Sequence, residues 1–327
     1  MKTSSFLGAL AFALAAPLAA FAQYGQPATK VYRVGVLSPI GPNPALEALR
    51  QGLKELGYVE GQNLVLETRF AENKLERLPE LAQELVKANV DVLVSGATGS
   101  VIALQNATTS VPIVFAGLSD PVAAGVLRKL SEPNGNTTGV LLGQGGPAYS
   151  AKWIELLREA SPGVNHIAVL IVPGSAVLPG FVRELQTAAR ASSVKLELMD
   201  AGDSASMDAA FAAISASGAQ AIIVTPDPFF NSNRARIAQF AASKRLPSVS
   251  FASVLADAGG LMSYGGNLEA SNRRAARHID RLLKGAKPGD LPIVAMPVEL
   301  VINRKAAGEM GLTLPPSMLQ RADRVID

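Results

Sequence analysis

One pattern governs what this chain can fold into: a short apolar run, then an amphipathic stretch, repeated as two copies of one series. Val31–Leu37 reads as a buried strand and Ser38-Pro39-Ile40-Gly41-Pro42 as the loop after it. Pro44–Leu56 follows as a helix, with Leu46, Leu49, Leu53 and Leu56 at helical spacing. Asn63–Phe70 alternates as a strand, and Leu75–Ala88 carries Leu78, Leu81 and Leu85 on one helical face. Strand Val90–Val94, helix Ser100–Thr108 and strand Val111–Ala116 complete the series. It restarts at His166 with strands His166–Val172, Lys195–Met199, Ala221–Thr225 and Ser248–Phe251. Between them lie helices Phe181–Ala191, Met207–Ala216 and Asn233–Ser243. The side chains of the two series differ, so the repeat is one of architecture. Alternating βα units build parallel sheets covered by helices on both faces. The expected class is therefore α/β, with two similar lobes.

Two glycine-rich segments, Glu132–Gln144 and Ser253–Asn267, suit connections between the lobes. A chain that crosses more than once makes a multi-strand hinge, whose backbone rotation glycine permits. The tail adds a long helix Glu269–Leu283, a strand Val298–Asn303 and a helix Arg304–Met310. The expected division is 30–138 plus 256–286 for the first lobe, and 139–255 plus 287–327 for the second.

Ahead of the first strand, Met1-Lys2 is followed by an apolar run from Phe6 to Ala22 that ends in Ala20-Phe21-Ala22. That is the form of a cleavable secretory leader spanning 1–22. The run is short, and too rich in Ala and Gly, to span a bilayer. The chain has no Cys, which excludes a lipid-anchored terminal cysteine, disulfides and thiolate metal sites. Two His and a formal charge of +3 over 327 residues do not suggest a multi-histidine metal site or a nucleic-acid partner. The expected location is the periplasm, free of a lipid anchor, with no cofactor.

Ligands of open parallel sheets bind beyond the carboxyl ends of the strands. The polar residues there are Ser38, Thr98, Ser119 and Asp120 in the first series, and Ser175, Asp227 and Ser253 in the second. A helix starts just after each loop, and its free N–H groups favour carboxylates. Tyr264 is placed to roof such a cleft. Asp120-Pro121 and Asp227-Pro228 also have the form of ordinary helix starts, with Asp as cap and Pro in the first turn. Trp153 is expected to pack, Phe229-Phe230 to stack on a ligand or cap a lobe, and both histidines to lie at the surface. No nucleophile elbow, phosphate loop, zinc motif or dinucleotide motif occurs. An enzyme is not expected, although Asp120 and Asp227 would be the acids of a cleft enzyme if there were one.

Several segments together resemble the ABC-transporter substrate-binding family that includes the tryptophan/tyrosine-type binding proteins. They are Val34-Gly35-Val36-Leu37, Gly57-Tyr58-Val59-Glu60-Gly61-Gln62-Asn63, Pro112-Ile113-Val114-Phe115 with Ser119-Asp120-Pro121, and Asn136-Thr137-Thr138-Gly139-Val140. Val301-Ile302-Asn303-Arg304-Lys305-Ala306-Ala307 and Pro315-Pro316-Ser317 continue the resemblance, which spans almost all of the chain after the leader. It implies a type 1 periplasmic-binding-protein fold and a monomeric receptor that delivers a small molecule to an inner-membrane ABC permease. It also implies ligand loops at Ser38, Thr98, Ser119-Asp120, Ser175 and Asp227. Where aromatic-amino-acid binders of the family carry an aromatic residue after the first strand, this chain has Ser38-Pro39-Ile40. In the second lobe it has Pro173-Gly174-Ser175-Ala176 in place of an acidic and amide-bearing loop. With several hydroxyls and few aromatic residues around the loops, the expected ligand is a small polar amino acid or carboxylate. A receptor of the same fold serving a sensor kinase is the alternative.

Overall fold

The computed structural model describes residues 30–122, 124–130, 135–143, 148–175 and 178–327. The expected leader lies outside them. The first series forms β1 (Tyr32–Ser38), α1 (Pro44–Glu55), β2 (Leu64–Phe70), α2 (Leu78–Lys87), β3 (Val92–Ser95), α3 (Thr98–Ala107), β4 (Ile113–Leu118) and β5 (Thr137–Leu141). The second forms α4 (Ala148–Ala160), β6 (His166–Ile171), α5 (Leu178–Ala191), β7 (Lys195–Asp200), α6 (Ser204–Ser217) and β8 (Ala221–Val224). It continues with α7 (Pro228–Ser232), α8 (Arg234–Ser243), β9 (Ser248–Ser250), α9 (Val254–Asp257) and β10 (Met262–Gly265). The tail is α10 (Leu268–Leu283), β11 (Val294–Ala295), β12 (Glu299–Asn303), α11 (Arg304–Met310), α12 (Pro316–Gln320) and β13 (Arg324–Ile326).

The strands assemble into two sheets, ordered β11-β5-β4-β3-β1-β2 and β13-β12-β10-β9-β8-β6-β7. All pairs of the first sheet are parallel. In the second only β10–β12 is antiparallel. Each lobe is thus a doubly wound sheet in which order reverses beside its first strand, between β1 and β3 and between β6 and β8.

Strand side chains alternate between faces, so each sheet carries a core on both sides. In β3, Val92 and Val94 join one core and Leu93 the other. In β6, Ile167, Val169 and Ile171 face one way, Ala168 and Leu170 the other. Burial on both faces explains why these strands read as continuous apolar runs. Helix α10 closes the first lobe against α1. Their backbones approach so closely at Gly52 that an added Cβ would lie 2.8 Å from the Arg273 carbonyl oxygen.

The boundaries between lobes depart from the expected division. Thr137–Leu141 is a full strand of the first sheet rather than a connecting segment. Met262–Gly265 pairs within the second sheet, although it was expected with the first lobe. After α10 the chain stays in the first lobe through β11, which pairs with β5. The chain therefore crosses between sheets three times: after β5, after β10 and after β11. Two of these crossings touch: a Cβ on Gly266 would lie 2.5 Å from Leu142 Cδ1.

Among the described residues no helix is long and apolar enough to cross a membrane.

Candidate functional site

A cavity of about 460 Å³ opens between the lobes, walled by both. It lies at the two points where strand order reverses, which is where an open α/β sheet leaves a crevice at its strand ends. From the first lobe come Ser38 and Ile40 after β1, Gly96 to Ser100 after β3, and Ser119 after β4. The second lobe supplies Ser175 after β6, Asp227 and Phe229-Phe230 after β8, and Phe251 after β9.

Three of the helices that start near the cavity have a polar side chain on their first N–H groups. Asn43 caps α1, Asp227 caps α7 and Asn267 caps α10. Helices α2, α8 and α9 lack such a cap, and so does α3, where Ala97 stands at the cap position with no polar side chain to offer. The first turn of α3 lines the cavity, and Ser100, fully buried in that turn, has a hydroxyl without a hydrogen-bond partner. Free N–H groups, the positive end of the helix dipole and an unused hydroxyl suit a carboxylate.

Asp227 supplies the opposite charge. Its Oδ1 accepts from Phe229 N at 2.9 Å, and its carboxylate is bonded by the Ser175 hydroxyl. Burial pushes the Asp227 carboxyl above the usual range, against the lowering effect of those two donors. A cationic group placed beside it would reverse that shift. Between these polar ends the walls are apolar, with Leu75, Leu78, Ile102, Phe229, Phe230 and Leu268.

Five of the seven residues expected at the site line this cavity: Ser38, Thr98, Ser119, Ser175 and Asp227. Ser38 does so with its hydroxyl engaged, donating to Ile40 O at 2.8 Å. Asp120 and Tyr264 lie outside the lining. Asp120 sits at the turn after β4, where its carbonyl accepts from Ala124 N at 3.2 Å. Its charge reaches Glu184 of α5, whose carboxyl is raised first by partial burial and then by Asp120. Tyr264 belongs to the second lobe's packing: its carbonyl accepts from Trp153 Nε1 at 2.8 Å, and its ring lies 6.1 Å from that of Tyr149. Ser253 is buried beside the cavity without lining it.

His278 corrects the expectation of a surface histidine. It is buried on the inner face of α10 with Nε2 3.0 Å from Pro292 O. Burial first, then Arg274 and Arg281, hold its pKa down. His166 is half-buried and pairs with Glu197 at 2.8 Å. Trp153 is fully buried, as expected.

The sequence reading missed Ser100, Asn272, Asn73 and Leu75. Ser100 had a signal, a hydroxyl in the first turn of a helix that starts at a strand end. Asn272 had none: only the packing of α10 on β4 brings it to the cavity, where Nδ2 donates to Leu268 O at 2.9 Å. Among the described residues no group of His, Asp or Glu is placed to hold a metal.

Two doubly wound lobes sharing one cavity at their switch points define a ligand-binding protein of the type 1 periplasmic-binding-protein fold. The chain belongs to the ABC transporter substrate-binding protein family, whose sequence profile matches residues 34–326. A tyrosine-binding protein of Clostridioides difficile is 24% identical over 275 residues, covering 82% of this chain and 77% of that protein. Among solved structures, an ABC domain from Streptococcus pneumonia in complex with L-Trp superposes with a TM-score of 0.81 at 26% identity. That match covers 91% of this chain and 100% of the other. A conserved domain protein from Vibrio cholerae O1 biovar eltor is 31% identical, with a TM-score of 0.81 and coverage of 90% and 100%.

Proposed function

We propose that this protein is the periplasmic solute-binding component of an ABC importer, and that its cargo is an α-amino acid with a large apolar side chain. The observation that carries the reading is the pairing of the uncapped α3 start with Asp227 across one cavity. The first suits an α-carboxylate, the second an α-ammonium, and the apolar walls suit the side chain. Relatives that bind tyrosine or L-Trp support an aromatic cargo. This revises the expectation of a small polar ligand. The hydroxyls are there, but so are Leu75, Ile102 and the two phenylalanines.

Ligand bridges the lobes and shifts an open–closed equilibrium about the three crossings. The closed form, acting as a monomer, then docks on its permease. Nothing in this account requires turnover: the cavity holds its ligand and releases it unchanged.

Thermal unfolding of the purified protein against L-tryptophan, L-tyrosine, other amino acids, organic acids and sugars tests the reading. Ligand at 100 times its dissociation constant adds about 2.7 kcal/mol of stability, enough to move Tm by several degrees. The expected result is a shift with large apolar amino acids, with the compound recovered intact by mass spectrometry. A shift confined to sugars, or a chemically altered ligand, would overturn it.

A further inference from the structure

The loop between β2 and α2 runs from Ala71 into a 3-10 turn at Leu75–Arg77. Glu72 and Asn73 both take left-handed backbone, with φ of 54° and 65°. Two successive non-glycine residues rarely do so unless their surroundings impose it, and such spots gather at ligand clamps. Here the loop is tied to the one that follows β1. Ala71 N donates to Ser38 O at 2.9 Å and Asn73 N to Pro39 O at 2.7 Å. The twist carries both Asn73 and Leu75 into the cavity lining.

Leu75 is 44% exposed. Of the exposed large apolar side chains among the described residues, it is the one that lines the cavity. It packs into none of the four cores. A leucine that is both solvent-exposed and cavity-lining sits at the mouth, where its apolar surface lacks a partner until a ligand provides one.

We propose that the Ala71–Leu75 loop is the specificity-determining jaw of the cavity: Leu75 closes over a large apolar ligand side chain, and Asn73 offers its amide to a polar atom at that side chain's tip. The proposal rests on the amino-acid reading above and adds to it the residues that select the side chain. Leu75 contributes to no core, so its truncation leaves the fold intact, and an unchanged Tm without ligand checks this.

Isothermal titration with L-tryptophan would compare the unaltered protein with Leu75→Ala and Leu75→Met. Leu75→Ala is expected to weaken binding roughly tenfold, the effect of leaving one leucine's contact with the ligand unmade. Leu75→Met keeps the volume and is expected to stay within about twofold. Asn73→Gly keeps the left-handed backbone while deleting the amide, and should weaken L-tyrosine more than L-phenylalanine. Unaltered L-tryptophan affinity in Leu75→Ala, with the parent protein binding normally, would overturn the jaw alone. Equal losses for L-tyrosine and L-phenylalanine in Asn73→Gly would remove Asn73 from it. A parent protein that binds none of the three would overturn the amino-acid reading and the jaw with it.

Discussion

Asp227 is asked to do two opposed things. It holds a carboxyl in a partly buried wall, and on the proposed function it also receives the ligand's ammonium. Its carboxyl is raised by burial, so the native state binds that proton more tightly than the unfolded chain does. The contribution to stability is therefore largest below the ordinary Asp value of about 3.9 and is lost as pH rises to the raised one. An ammonium bound beside it favours the ionised form, so ligand binding releases the proton. Affinity should rise with pH across that window and level off above it. Asp227→Asn keeps the cap on Phe229 N but removes the charge. At neutral pH the ligand-free variant should melt higher than the parent, while affinity for L-tryptophan falls roughly tenfold to a hundredfold, the range of a charge-assisted hydrogen bond. Titration calorimetry in buffers of different ionisation enthalpy reads the proton directly. A variant that keeps both the affinity and its pH slope would exclude Asp227 from the site.

At the scale of elements, the α1–α10 contact is the most exacting. Gly52→Ala would ordinarily help a helix by up to about 1 kcal/mol. Here the new methyl would meet Arg273 O at 2.8 Å and the Ala276 Cβ at 2.9 Å. Neither is the flexible end of a side chain, so the helices must part. Overpacking of about 1–3 kcal/mol outweighs the propensity gain, and Tm should drop by several degrees in a thermal scan; a rise would mean that the contact is loose. The same helix shows what the sequence could and could not reveal. The helix Glu269–Leu283 was legible as a helix, but its arginines point to surface, while the structure buries His278 on one face with Ala275, Ile279 and Leu282. Strand β5 was harder to read. Thr137-Thr138-Gly139 is neither an apolar run nor an alternation, and its hydroxyls find remote partners, Thr138 Oγ1 donating to Leu291 O at 2.9 Å. The loops that line the cavity were legible because strand ends are. Leu75 was not, because a leucine at helical spacing before Leu78 reads as core.

For the whole molecule, the proposed function makes capture a rigid-body closure about the three crossings. L-tryptophan at saturation should lower the radius of gyration measured by small-angle X-ray scattering, because closure brings the lobes together around it. An unchanged scattering profile under conditions where calorimetry shows full occupancy would rule out closure.

The order in which the segments occur along the chain has one more effect. The first lobe holds residues from β1 to β5, but α10 and β11 that complete it come only after the entire βα series of the second. A chain emerging from its N-terminus cannot finish either half until nearly all of it is present: the first sheet lacks its outer strand, and α1 lacks the helix that covers Leu46, Leu49 and Leu53. Either half, cut out at a sheet boundary, would lack elements that complete its own sheet and core. The two must mature together, late, and the polypeptide stays short of its compact state for most of its own synthesis.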